Sequence, residues 1–211
     1  MTKFNFSRIM NLINLLIILV YISFVGCSQK KESIVKNEVK SINGETDILF
    51  DEESGLVFLV GESVPFSGRA LWHYRGGGLR QETQYLEGRE DGVEVWWHEN
   101  GKRAGQCNYS DGVLEGPFLQ WYPTGEKSFQ ANYVYGGKNG VETIWYRNGV
   151  EKSKVGYRGG HRHGNAKGWY DDGNIEWEAS WEKDKLNGKN IEWYRSGKMK
   201  FRRHFKSDIP D

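Results

Sequence analysis

Proline is scarce in this 211-residue chain, with 4 in all, and cysteine is scarcer still, with 2. Two cysteines exclude a scaffold stapled by several disulfides. Neither sign of charge dominates, since 29 Lys and Arg stand against 28 Asp and Glu. That balance excludes the strongly basic surface that draws nucleic acid, so no nucleic-acid partner is expected. Apolar residues are also thin, with a mean hydropathy of −0.70. What the chain has in quantity is glycine, 27 residues, and aromatics: 9 Trp, 11 Tyr and 10 Phe. Many aromatics in a polar background indicate a β protein with thin apolar layers.

The extended apolar run lies at the start, from Ile9 to Val25, interrupted by Asn11 and Asn14. Lys3 and Arg8 precede or open it, and Gly26 and Cys27 close it. A charged start, an apolar middle and a small residue before the cut make a secretory signal over residues 1–26. A Cys directly after the small residue resembles the bacterial lipoprotein signal, which implies a lipid on Cys27 and anchorage in a membrane. Phe24 stands where that signal usually has an aliphatic residue. The alternative is a membrane-anchoring helix with an incidental Cys, although the run is shorter than the ~20 residues a span needs. Cleavage before Cys27 leaves 27 positive against 28 negative charges. Ser28, rather than Asp, implies an outer-membrane lipoprotein of the cell envelope, on the periplasmic side or surface-exposed. Residues 27–43 lack aromatics and glycine and read as a polar tether. A short helix there is the alternative, because Val35, Val39 and Ile42 fall at helical spacing.

Beyond residue 67 the sequence repeats. Gly68, Gly92, Gly116, Gly140, Gly164 and Gly188 are spaced 24 residues apart without insertion or deletion. Five residues on come His73, Trp97, Trp121, Trp145, Trp169 and Trp193, and next Tyr74, His98, Tyr122, Tyr146, Tyr170 and Tyr194. A second glycine follows nine residues after the first, and an aromatic seventeen after it: Tyr85, Tyr109, Tyr133, Tyr157, Trp181 and Phe205. Gly88, Gly112, Gly136 and Gly160, then Asp184 and Asp208, lie three further on. Six copies in one register define six repeats over residues 68–211, and residues 44–67 read as an atypical capping hairpin.

Each unit reads as two strands. Ile175, Trp177, Ala179 and Trp181 alternate with Asn174, Glu176, Glu178 and Ser180, the pattern of a half-buried strand. Asn148-Gly149, Asp172-Gly173 and Ser196-Gly197 mark the turns. A two-residue turn would put Tyr146 with Val155 and Tyr157. A three-residue turn, with glycine left-handed, would pair Tyr146 with Val150 and place Val141, Thr143, Trp145, Val155 and Tyr157 on one face. One apolar face sets register, so the three-residue turn is expected. The Trp column would then be buried beside the Tyr157 column, with the Tyr146 column on an opposite, polar face.

The units WYRNG, WYDDG and WYPTG, with joins such as GGKNG, resemble MORN repeats. The likeness is to the second, bacterial variant, found in proteins labelled YwqK-family antitoxins, and residues 55–69 resemble its usual lead-in. The resemblance covers residues 55–206. It implies an elongated antiparallel β-sheet of stacked hairpins, an all-β fold, and a binding or scaffolding role for proteins or lipids without catalysis. It also implies an antitoxin-like partnership with a toxin as one alternative. His73 and His98 depart from the repeat pattern.

Other chemistry is thin. His161 and His163 lack the carboxylate or thiol spacing of a metal site, and no metal or other cofactor is expected. Residues 164–168, GNAKG, lack the ending of a phosphate loop. Cys107 fills a slot held elsewhere by Thr83, Ala131, Val155 and Ala179, so it reads as a small core residue. No catalytic residue emerges, and no carboxylate pair recurs. The basic segment 198–206 reads as protection of an edge strand, with a patch for an anionic surface as the alternative. The remaining candidate surface is the column Tyr74, Tyr122, Tyr146, Tyr170 and Tyr194. It serves either as cross-strand packing or as an extended contact surface for a protein partner, or for a glycan or cell wall.

Overall fold

Residues 41–210 are described by the computed structural model. The signal segment, Cys27 and the tether as far as residue 40 lie outside the described residues. Among the described residues there are no helices; one 16-stranded sheet and a separate two-stranded sheet make up the fold. Apart from its first pairing, the large sheet is antiparallel, as expected of an elongated stack of hairpins.

The turn within each repeat follows from its glycine. In the fourth copy, strand Gly140–Trp145 runs antiparallel to Glu151–Arg158. The Tyr146 N–H donates to the Val150 carbonyl at 2.8 Å, and the Gly149 N–H donates to the Tyr146 carbonyl at 3.0 Å. The loop is therefore Arg147-Asn148-Gly149, three residues, with Gly149 at φ 82°. The same two bonds close the turn in all six copies.

The faces differ from the expectation. Trp145 stands opposite Glu151 but Ile144 stands opposite Ser153, so Lys152 is an extra residue in the second arm. This β-bulge recurs beside each of the six turns. One extra residue flips every later side chain to the other face. Val155 therefore lies opposite Glu142, and Tyr157 opposite Gly140. Trp145 keeps Val141 and Thr143 on its face but not Val155 or Tyr157. Strand alternation puts Tyr146 on the Tyr157 side instead. The Trp column is half-buried rather than buried, and lysine covers part of it: the Lys127 and Lys167 ammoniums lie 5.9 and 5.7 Å from the Trp145 and Trp169 rings.

Each copy ends in a two-residue turn: Glu87-Gly88, Asp111-Gly112, Tyr135-Gly136, Gly159-Gly160, Lys183-Asp184 and Ser207-Asp208. Both residues of each have φ between 49° and 86°, the signature of type I′ hairpins. Asp can adopt this conformation with little strain, which explains Asp184 and Asp208 in the glycine slot.

The core is a row of mostly small side chains crossing the sheet, interrupted by Glu94. Ala70 lies opposite Thr83, Thr83 opposite Glu94, and Glu94 opposite Cys107. Farther along, Val155, Ala166, Ala179 and Asn190 continue the row. Ala70, Thr83, Cys107, Ala131, Ala166 and Ala179 are all buried. Beside this row large residues lie over small ones. A Cβ on Gly105 would meet the Trp96 ring at 2.3 Å, and one on Gly168 would meet the Trp177 ring at 2.1 Å. At the first repeat, strand Ser41–Asn43 pairs in parallel with Arg69–Leu71. The hairpin Ile48–Asp51 with Leu56–Leu59 and the segment after it lay Val57 and Phe66 on Ala70, flanked by Trp72 and Tyr85.

Gly168→Ala inserts a methyl group into the Trp177 ring, and the expected loss is about 1–3 kcal/mol. Urea unfolding checks it, and the loss should shrink in a Trp177→Leu background, where the ring is gone.

Candidate interaction surface

The expected Tyr column lies along one margin of the sheet, and its hydroxyls link each copy to the next. Tyr74 donates to the Trp97 carbonyl at 2.6 Å, Tyr122 to Trp145 at 2.6 Å, Tyr146 to Trp169 at 3.0 Å and Tyr170 to Trp193 at 2.8 Å. His98 takes the same part, with Nε2 at 2.9 Å from the Trp121 carbonyl. Tyr194 has no following Trp among the described residues and is 50% exposed. The Tyr122, Tyr146 and Tyr170 rings each carry a cation: Arg147 at 5.7 Å, Lys152 at 5.5 Å and Arg195 at 4.8 Å. The opposite margin has its own ladder. Gly112, Gly136 and Gly160 donate N–H groups to the carbonyls of Glu90, Leu114 and Lys138 at 2.8–3.0 Å, and Asp184 to that of Arg162 at 3.1 Å.

Between the margins, the face with the small-residue row carries the second aromatic column. Phe118 contacts Trp96, Phe129 and Tyr133 with ring centroids 5.6–5.8 Å apart. Lys138 lies 5.5 Å from the Phe129 ring and 5.0 Å from that of Tyr157, and it pairs with Glu142, which is 8% exposed. Burial works against the Lys138 charge, but the Glu142 hydrogen bond and charge outweigh it and hold the ammonium above its usual range. One repeat on, the Arg162 guanidinium stacks 3.7 Å from the Trp181 ring centroid. The Arg162 backbone N–H and the His161 imidazole hold Asp184 down at about 2.

Near the first joint this face carries two carboxylates, Glu90 and Glu94. Glu94 accepts from Gln81 at 2.5 Å, and the Cys107 thiol lies 3.5 Å from its other oxygen. Burial, then the Glu94 charge, pushes the Glu90 carboxyl up. The same two causes push the Cys107 thiol up to about 12, so it is neutral near pH 7 and is no nucleophile. His161, once weighed as a metal ligand, faces Asp184 at 2.6 Å. No group of three or more His, Cys, Asp or Glu suited to a metal occurs among the described residues.

The sequence reading missed Glu90, Glu94, Lys138 and Glu142, because it followed residues that recur. Their signal was the reverse: charged residues breaking otherwise small or apolar columns.

Two segments, residues 90–111 and 186–207, match the family model described as MORN repeat variant. Their starts lie 96 residues apart, four 24-residue periods, so both have the same phase in the array. No curated protein matches the chain. Repeats of this family are commonly protein or membrane interaction modules.

Tyr146→Phe deletes one rung, and the expected loss is about 0.5–1.5 kcal/mol. Tyr194→Phe makes the same chemical change without a rung and should stay within about 0.5 kcal/mol of the parent; urea unfolding of both variants makes the comparison. Cys107 should resist iodoacetamide at pH 8 in the folded protein and react after denaturation, as read by mass spectrometry of its peptide. Its folded pKa is raised from 9.0, so its stabilising effect is complete below pH 9 and is lost as pH rises toward 12.

Proposed function

We propose that this is a non-catalytic repeat protein of the cell envelope, anchored by a lipid on Cys27, that presents the small-residue face of its sheet to a protein partner. One observation carries the reading. At the first repeat the capping hairpin covers this face with Val57 and Phe66. In later repeats the same face carries half-buried Phe118, Tyr133, Tyr157, Trp177 and Trp181, with no second layer among the described residues. A partner would continue the packing that the hairpin begins, and half-exposed aromatics beside polar groups suit such contacts. The column Tyr74, Tyr122, Tyr146, Tyr170 and Tyr194 would form the rim of the contact.

A protein partner is favoured over a glycan by the cations on the rings. Lys138, Arg162 and Arg195 occupy aromatic faces on which a sugar would stack. The anchor rests on the charged start, the apolar run and Cys27. The non-catalytic reading is supported by the neutral, buried Cys107.

The experiment places photo-crosslinking residues, in cells, at Phe118, Tyr157 and Trp181 on this face and at Lys154 on the other. Protein crosslinks from the first three and none from Lys154 are expected; crosslinks from Lys154 alone would overturn the reading. Retention on purified peptidoglycan would favour the glycan instead. Mass spectrometry of the mature amino terminus should show a lipidated Cys27, and an unmodified one ends the anchor.

A further inference from the structure

The repeats allow one copy to be compared with another at equivalent positions. Around Lys138 a complete arrangement is visible. The Lys138 ammonium pairs with Glu142 and sits between the rings of Phe129 and Tyr157. Two repeats earlier, 48 residues back, the equivalents of Lys138, Glu142, Tyr133 and Tyr157 are Glu90, Glu94, Tyr85 and Tyr109. The register is the same: Tyr133 pairs with Lys138 as Tyr85 pairs with Glu90, and Gly140 pairs with Tyr157 as Gly92 pairs with Tyr109. The carboxylate and the tyrosines persist, Gln81 replaces Phe129, and a second carboxylate stands where the cation was.

We infer that Glu90 and Glu94, with Tyr85 and Tyr109, form an acidic site that takes a lysine or arginine side chain from a basic segment of a partner protein. The inference rests on the reading that the small-residue face is the binding face, and it names the partner's chemistry.

Charge complementarity is the main argument. Glu90 makes no ion pair among the described residues, and Glu94 receives only neutral donors, from Gln81, Thr83 and Cys107. Arginines nearby are already committed, Arg80 to Glu45 at 3.3 Å and Arg89 to Asp111 at 3.1 Å. Two carboxylates sharing partly buried ground repel each other, which agrees with the raised Glu90 carboxyl. A cation between them removes the repulsion and gains the faces of tyrosine rings. The site opens to a partner through two cavities: one of about 410 Å³ is lined by Glu94, Tyr109, Trp96 and the committed Arg80, and another of about 420 Å³ by Glu90, Tyr85 and the committed Arg89. It lies where the cover of the capping hairpin ends, so a partner chain could abut that hairpin. The chain's own Lys138 shows what a filled version looks like.

The test uses the full chain in detergent. Glu90→Lys rebuilds the Lys138 arrangement within the molecule. It should raise Tm above the parent, more than Glu90→Gln does. A capped heptapeptide with one central lysine among alanines should shift the Trp96 indole signal in NMR titration, and its norleucine twin should not. Glu90→Lys should abolish that shift, and Glu94→Gln should weaken binding about tenfold, the loss of one charge-assisted contact. A Glu90→Lys variant that melts below the parent would overturn the inference, as would peptide binding indifferent to both substitutions. Either result would leave the crosslinking map of the face intact, so failure here is distinct from failure of the broader reading.

Discussion

The second arm of each hairpin carries one residue more than the first arm can pair, and the distribution of side chains between the two faces depends on it. Without the bulge at Lys152, Trp145 would lie beside Val155 and Tyr157, and one face would hold both aromatic columns. A single-layer sheet has nothing to bury such a face against. The bulge sends the Trp column to one side and the Tyr157 column to the other. Neither side then needs a continuous second layer. Lysine stems cover part of the Trp rings, and neighbouring aromatics cover one another on the other face.

This division leaves the centre of one face to small side chains, so the margins must hold the copies together. They do so with repeated hydrogen bonds. On one margin an aromatic side chain of each of the first five copies reaches a Trp carbonyl of the next; on the other a type I′ turn donates an N–H to the carbonyl of the preceding joint. Each copy is completed by its neighbour, as in other repeat arrays whose stability is a sum of local and nearest-neighbour terms. His98 shows that the rung, rather than the phenol, is the requirement, since an imidazole nitrogen meets the same carbonyl.

The period, the all-β class and the three-residue turn were legible because each is a local property. Gly149 can take a left-handed φ that most residues avoid, and alternation in Ile175–Trp181 marks a strand. The bulge was not legible. Lys152 looks like any solvent-facing strand residue, and nothing in its type marks it as unpaired. That single unknown inverted the face of every residue after the turn, which is why Val155 and Tyr157 lie on the Tyr146 side and not beside Trp145. The Tyr positions themselves were readable from their recurrence, but their hydroxyl partner is a backbone carbonyl, and every residue has one. Large-over-small pairs such as Trp96 on Gly105 and Trp177 on Gly168 were also hidden, because register determines which residues meet.

Recurring columns and variable ones therefore carry different information. Recurrence builds the scaffold: the turn glycines, the rung aromatics, the small central row. Variation falls mainly at positions facing each other across the joints, and there it is mostly complementary. Lys138 pairs with Glu142, and Arg162 stacks on Trp181. Such pairs answer their charges within the chain. Glu90 with Glu94 breaks that rule, since two like charges on a partly buried face destabilise each other. A sheet that resolves its other joints internally leaves this one unresolved beside the end of its cap, so specificity is better sought at this exception than along the regular Tyr rim.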